Sequence, residues 1–457
     1  MTSPSGQPGR NFQAPRGTRD FYPIEMARRL WLEDKWRRTA TRHGFDEISG
    51  PTFEHLDLYT VKSGEGIVSE LFSFSRQGGE TSYALRPEFT PTLARMVASK
   101  ANALPKPIKW HSIGPYFRAE RPQRGRLREF TQWNVDVLGD PSPEADAEVI
   151  ACCADSLRLM GLTDEHVSIR INHRGLFSEI LRENGVPSDR HEAVFVLLDQ
   201  AGKLERADFL AAARKLDLPE SLMLWFGGEI EASVDSSGEL RQKLMKESSL
   251  AFEYFRRLEP LRDSLEELGV SKRMVLQSAL IVRGLAYYTG AVFEVHETGG
   301  KERAIAGGGR YDNLVELFGG PPTPAVGFAM GDVVIALVLQ DKGLMPSDDA
   351  IARDLGLAPD VFVFACDEAA DLYLRPMLAH LRRAGLHARR TYKTTRNEGK
   401  LFGEANKSGA RFVLKLMPGL EAQLKDMGAQ GGASEPLGPE ASVEALAAAV
   451  QKRIPAS

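Results

Sequence analysis

Three cysteines in 457 residues, with Cys152 and Cys153 adjacent and Cys366 distant, supply neither a disulfide framework nor the paired spacing of a structural zinc site. No HExxH segment or Cys/His cluster takes their place, so no protein-held metal is expected, and His173 and His191 read as surface or helix-packing residues. Long apolar runs are also missing. Nothing is long enough to span a bilayer, and the opening MTSPSGQPGRNFQ lacks the apolar stretch of a signal peptide. A cytoplasmic protein with no membrane partner is expected, with residues 1–12 forming a disordered tail. Charge of either sign is not in excess: 58 Lys and Arg against 62 Asp and Glu leave a net charge of -4, which excludes a basic nucleic-acid coat and confines any RNA binding to local patches. The chain also lacks a GxxxxGK[ST] loop and a GxGxxG after a strand, which argues against nucleotide binding by either route.

What is present is a globular composition, 42% hydrophobic, in a chain long enough for two or three domains. Asp20 and Pro23 signal a helix that ends near Gly44. Short segments bracketed by Gly and Pro, such as FDEISGPTFE and TSYALRPEF, then read as antiparallel strands through Trp133, and SPEADAEVIACCADSLRLMG switches to a helical period. From about 174 to 267 the apolar spacing is helical throughout, as an insertion would be. Strands resume at IVRGLAYYTGAVFEVHE, continue through Gly307, Gly308 and Gly309, and finish in a helix around Val333 to Leu339. Residues 346–359 read as a linker between a domain at 13–345 and another at 360–457. In the latter, strands at Val361–Ala365, Arg389–Tyr392 and Arg411–Leu416 alternate with helices at Ala369–Arg383 and Glu398–Lys407, which implies a mostly parallel sheet.

The segment FRAERPQRGRLREFTQWNVD carries Arg118, Arg121, Arg124, Arg126 and Arg128 around a turn marked by Pro122 and Gly125. Strand alternation groups Arg118 with Glu120, and Phe130, Gln132, Asn134 and Asp136 on one face of the following strand. Arginine forks hold phosphates, a phenylalanine stacks on a purine and a glutamate accepts from an amino group, so the pair of strands could form a nucleotide wall. A solvated arginine-rich hairpin would have the same composition, and the residues alone leave both readings open. In LRPEFTP, Glu88 and Thr90 fall on one strand face, where they could hold an ammonium group; a bare turn between Pro87 and Pro91 is the alternative. From Arg375 to Lys415, eleven basic residues face only Glu398 and Glu404, a local field suited to a phosphate backbone or simply to solvent.

These segments resemble the histidyl-tRNA synthetase family of class II aminoacyl-tRNA synthetases. FRAERPQRGRLREF is similar to motif 2, IVRGLAYYTGAVFEV to the histidine signature RGLDYYTG, AIAGGGRYDNL to a second signature and GFDEISGPTFE to motif 1. The resemblance implies an α+β protein: a six- or seven-stranded antiparallel sheet with flanking helices and a helical insertion, followed by a C-terminal α/β anticodon-binding domain. It further implies that L-histidine, ATP and histidine tRNA are substrates, that Mg2+ accompanies ATP, and that the protein is a homodimer. By the same resemblance Arg118 and Arg283 are catalytic. Arg118, Glu120, Arg126, Phe130 and Arg283 would bind ATP; Glu88, Phe89, Thr90, Arg118, Gln132, Asp136, Arg283, Tyr287 and Tyr288 would bind histidine.

The pattern is broken at three places. Motif 3 of the family reads GFAMG-x-ER, whereas this chain reads GFAMGDVVI, with Val334 at the arginine position. Ala286 replaces an aspartate before Tyr287, and Asp136 stands where many bacterial relatives have glutamate. A histidine-sensing regulatory paralogue, which resembles the same fold and partners ATP phosphoribosyltransferase, is the alternative; retention of Arg118, Glu120, Arg126 and Phe130, and of a C-terminal domain, favours the ligase.

Overall fold

A computed structural model describes residues 12–63, 70–199, 204–233, 243, 246–278, 280–281, 288–300, 302–428 and 434–454. The chain divides into two units, Met1–Asp20 with Leu32–Met345 and Phe21–Trp31 with Pro346–Ser457. No described helix is long and apolar enough to cross a membrane.

The strands of the first unit, in chain order, are β1 (Asp46–Glu47), β2 (Phe53–His55), β3 (Ser73–Ser75), β4 (Ser82–Leu85), β5 (Ile108–Phe117), β6 (Glu129–Leu138), β7 (Val167–His173), β8 (Val275–Gln277), β9 (Ala291–Glu297), β10 (Ala306–Arg310) and β11 (Ala325–Gly331). Eight of them form one sheet in the order β1-β5-β6-β11-β10-β9-β7-β8. The six central strands are antiparallel, within the expected count, and short parallel strands at both edges bring the total to eight. FDEISGPTFE is thus split: β1 joins the large sheet in parallel, and β2 pairs with β4 in a separate three-stranded sheet, β2-β4-β3.

The two faces of the large sheet differ because side chains alternate along each strand. On one face Trp133 of β6, fully buried, stacks on Trp36 at 5.9 Å and meets the edge of Phe328 at 5.1 Å. The helix Pro143–Leu159 packs on β6, β10 and β11, burying Val149, Ile150, Cys152, Cys153 and Leu157. Its start is held by Arg310 at the end of β10, a buried guanidinium that donates from Nε to Asp146 Oδ1 at 2.9 Å and from Nη2 to the Ser142 carbonyl at 2.8 Å. Such a pair is held in place by the cost of leaving either charge alone in the interior.

The insertion has helices Arg174–Glu183, His191–Asp199, Arg206–Lys215, Glu220–Ser233 and Ser249–Glu267, with their own core around Phe177, Phe209, Trp225, Phe226 and Tyr254. Its first helix is capped by His173, which accepts from Leu176 N at 3.2 Å, and its last by Ser248, which accepts from Ala251 N at 3.2 Å.

The second unit is a five-stranded sheet of β12 (Val361–Ala365), β13 (Ala388–Arg390), β14 (Phe412–Met417), β15 (Glu421–Asp426) and β16 (Glu435–Leu437), ordered β13-β12-β14-β15-β16. β13, β12 and β14 are parallel, with the helices Glu368–Arg383 and Glu398–Lys407 crossing between them on opposite faces. β15 and β16 are antiparallel, which the strand and helix alternation did not anticipate. The cause is a turn too short for a crossover helix, built on positive φ at Gly419 and Leu420. The stretch read as a linker contains a helix, Asp348–Asp354, capped by Ser347.

Replacing Arg310 with Ala should cost about 3–5 kcal/mol, because Asp146 is left buried without its cation. Chemical denaturation of the purified variant, read by tryptophan fluorescence, measures the loss.

Candidate active site

On the other face of the large sheet the same alternation does something different. Gln132, Asn134 and Asp136 of β6 point to it, and opposite them in register on β11 lie Gly331, Ala329 and Gly327. Beyond Ala329 and Gly327, the partners on β10 are Gly307 and Gly309. The result is a floor carrying no side chain larger than a methyl, beside a strand of amides and a carboxylate. Glu88, Thr90, Arg118, Gln132, Asn134, Asp136, Tyr288 and Tyr311 line one recess over Gly307, Gly327, Phe328 and Ala329.

Asp136 is 5% exposed, and Tyr311 donates to its Oδ1 at 2.6 Å. Burial pushes its carboxyl up to about 7, with the tyrosine hydrogen bond pulling the other way. Gln132 Nε2 donates to Asn134 Oδ1 at 2.8 Å, and Asn134 Nδ2 donates to Tyr116 Oη at 3.1 Å, so the amides are oriented by one another. Arg118 donates from Nε to the Pro87 carbonyl at 3.2 Å, and its guanidinium lies 5.0 Å from the centre of the Phe130 ring. Arg118 thereby ties the LRPEFTP segment to the start of β6.

Three expectations are corrected. Glu88 and Thr90 are not on a strand: Thr90 opens the helix Thr90–Lys100, with Pro91 in its first turn, where a missing N–H costs nothing. Both still reach the recess. Phe89, between them, does not. It is 1% exposed and packs with Leu93, Val97 and Tyr116, because the chain turning into the helix sends consecutive side chains in different directions. The hairpin also ends sooner than strand alternation suggested, since β5 stops at Phe117. Glu120 and Arg126 lie beyond the strands, joined to each other in an ion pair, with Gly125 at positive φ closing the turn. Neither lines the recess, although both lie on the hairpin that leads from it. Arg283, Ala286 and Tyr287 lie outside the described residues, while Tyr288 is buried at the edge of the recess.

Val334, where the family pattern has arginine, is 8% exposed, and its Cγ2 stands 3.4 Å from where a Cβ on Gly125 would be. It is packing under the hairpin turn. The neighbouring Asp332 accepts from Thr131 N at 2.9 Å and from Arg19 Nη2 at 2.6 Å, fixing the start of β6 to the helix Asp332–Asp341.

Asn134, Tyr311 and Gly327 were not singled out as site residues. Asn134 was legible, since it lies between Gln132 and Asp136 on the same face, and Tyr311 is one strand step beyond Gly309. Nothing in sequence marks Gly327, whose importance comes from its register against Asp136.

Carboxylates, amides and a guanidinium around a bare floor suit a small zwitterion with a polar ring next to a flat, anionic group. The family model described as histidyl-tRNA synthetase matches residues 17–332. A histidine–tRNA ligase of Haloarcula marismortui is 40% identical over 346 residues, 74% of this chain and 77% of that one. One from Opitutus terrae is 42% identical over 339 residues, covering 74% and 76%. The crystal structure of histidyl-tRNA synthetase from Nostoc sp. PCC 7120 aligns with a TM-score of 0.74 at 25% identity, over 97% of this chain and 99% of that chain. The chain belongs to the histidyl-tRNA synthetase family. The family match takes in Glu88, Arg118 and the hairpin, the signature at Ile281–Val295 and the glycine strand, and it stops at residue 332, short of Val334.

A methyl group at Gly327 would stand 1.8 Å from Asp136 Oδ1 and 2.7 Å from the Val135 carbonyl. Gly327→Ala should therefore displace Asp136 or the β6–β11 ladder, destabilising the protein by about 1–3 kcal/mol. The expected functional effect is a larger KM for histidine in pyrophosphate exchange, with the KM for ATP less affected.

Proposed function

We propose that the recess on the large sheet binds L-histidine and the reacting end of ATP. As a member of its family the protein activates histidine with ATP and transfers it to histidine tRNA. The convergence of Glu88, Thr90, Gln132 and Asp136 with Arg118 over the glycine floor is the observation that carries the assignment. Glu88 and Thr90 take the α-ammonium group, Gln132 and Asp136 the imidazole, and Tyr288 its flank. Tyr287 joins them by resemblance. Arg118 grips the histidine carboxylate and the α-phosphate, and Phe130 stacks on adenine. Glu120 reads the adenine amino group, and Arg126 reaches the distal phosphates.

In the first step a carboxylate oxygen of histidine bonds to the α-phosphorus in line, and the bond to the bridging oxygen breaks as pyrophosphate leaves. Arg118 and Arg283 offset the charge that builds on the α-phosphate. The 3′-terminal hydroxyl of the tRNA then attacks the carbonyl of the mixed anhydride, and AMP departs. Mg2+ would arrive on the phosphates and supply charge neutralisation there; no group of three His, Cys, Asp or Glu side chains among the described residues is arranged to hold it.

The wider reading places the catalytic domain at 13–345 and an anticodon-binding domain at 360–457, whose basic field favours a phosphate backbone. A homodimer is supported by the resemblance of GFDEISGPTFE to motif 1 and by an exposed aromatic patch on the small sheet. There Phe53 and Phe74 are 49% and 45% exposed, with Tyr83 at 5.7 Å and 5.8 Å from their rings. The cytoplasm is the proposed compartment.

Histidine-dependent exchange of pyrophosphate into ATP, followed by charging of histidine tRNA, tests the function; histidine binding without exchange would favour the regulatory paralogue. Arg283→Ala should lower adenylate formation by about 10²–10³-fold with the fold intact, and unchanged activation kinetics would remove it from the mechanism. Asp136 gives a pH test. Its carboxyl titrates near 7, raised by burial, so it accepts from the imidazole above that value and loses the role below it. The KM for histidine should rise as the pH falls through about 7, and Asp136→Asn should flatten that profile. A raised carboxyl pKa also means that stability is lost as pH rises through the folded value. That loss begins above the ordinary carboxylate value of 3.8 and is complete above about 7, so Asp136→Asn should raise Tm more at about pH 8 than at about pH 5.

A further inference from the structure

We propose that Arg303 binds the triphosphate of ATP and supplies the guanidinium that GFAMGDVVI does not carry. The inference rests on the reading that this site takes ATP. Val334 cannot be replaced as a cation from its own position, since it is enclosed under the hairpin turn at Gly125. A different segment reaches the same turn. Arg124 Nε donates to Glu302 Oε1 at 2.6 Å, and the Glu302 side chain is only 3% exposed despite its charge. Arg124 also pairs with Asp341 at 2.9 Å. Glu302 Oε2 lies 3.7 Å from where a Cβ on Gly125 would stand, on the turn that Val334 also meets. The connection between β9 and β10 is thus fastened to the tip of the motif 2 hairpin.

That fastening brings the next residue, Arg303, within electrostatic range of the Glu120–Arg126 pair. Arg303 is exposed, and it feels both the repulsion of Arg126 and the attraction of Glu120. Desolvation, followed by Arg126, holds its guanidinium below the ordinary arginine range. Glu120 is already paired with Arg126, and among the described residues Arg303 makes no ion pair of its own. The charges of two guanidinium groups therefore stand against that of one carboxylate. This arrangement is unfavourable in the empty protein and favourable once a polyphosphate lies between the cations. A free surface arginine would need no buried carboxylate at the preceding position to hold its backbone. Arg303 is accordingly a triphosphate-binding residue and Glu302 a positioning residue.

Pyrophosphate exchange on the full chain, with histidine and ATP varied separately, tests the assignment. Arg303→Ala should raise the KM for ATP by about tenfold or more and leave the KM for histidine and the Tm unchanged. Arg303→Lys should recover most of the loss, and Arg303→Glu should exceed it. An unchanged KM for ATP in Arg303→Ala, a parallel rise in both KM values, or a glutamate variant no worse than the alanine one would overturn the proposal. Wild-type exchange with any of those results leaves the site reading standing and removes only Arg303; absence of exchange in the wild type overturns both.

Discussion

A β-sheet that accepts a ligand on one face must be stripped of side chains there while remaining packed on the other, and this demand organises the first unit. The centre of the large sheet spends Gly307, Gly309, Gly327 and Ala329 on the open face. Such residues hold a strand poorly. The opposite face compensates with the largest side chains available, Trp133 against Trp36 and Phe328 against Phe293. Gly308 belongs to that packed face, where a Cβ would stand 2.1 Å from the Gly327 carbonyl, so β10 and β11 approach more closely than side chains allow. The glycine triplet therefore serves two purposes with alternate residues: room for a ligand on one side and close packing on the other.

This double use explains what could be read in advance. The strand period from Phe130 to Asp136 is a local property, and it correctly grouped Gln132 and Asp136; the same is true of the helical periods of the insertion and of Val361–Ala365. Glu88 and Thr90 were grouped for the wrong reason. A proline-initiated helix, not a strand, brings them to the recess, and the same turn removes Phe89 to the core. Gly327 was invisible because its role depends on which residue of a distant strand lies opposite it. The antiparallel end of the second sheet was missed through weight given to the preceding alternation, when a turn at Gly419 and Leu420 changes direction at once.

Electrostatics divides the site along the hairpin. Toward the sheet, one carboxyl of the recess is driven toward neutrality: Asp136 is buried, faces Gly327 and receives Tyr311. A carboxyl raised toward neutral pH would, on the proposed function, suit a partner whose imidazole titrates in the same range. Toward the hairpin tip, cations outnumber acids, and the acids present are spent on arginines, Glu120 on Arg126 and Glu302 on Arg124. On the proposed function, a pocket with a raised carboxyl adjoining a cationic rim would hold an amino acid apart from a polyphosphate.

The departure at Val334 is best understood within that division. An arginine on the helix after β11 would have to rise past the hairpin turn, and in this chain Val334 packs that space instead. Such packing lets the turn sit low over the helix, with Arg124 spanning to Asp341 at the far end of the same helix and to Glu302 on the neighbouring connection. In this chain the hairpin turn is thus tethered through Arg124 and packed by Val334, where the family pattern has a guanidinium. A rim built this way depends on the hairpin staying closed, since the tether that orders Arg124 is also what holds the 302–303 segment within electrostatic range of Arg126. Charge at the rim and order in the hairpin should accordingly rise and fall together, a coupling that a guanidinium fixed on a helix would not impose.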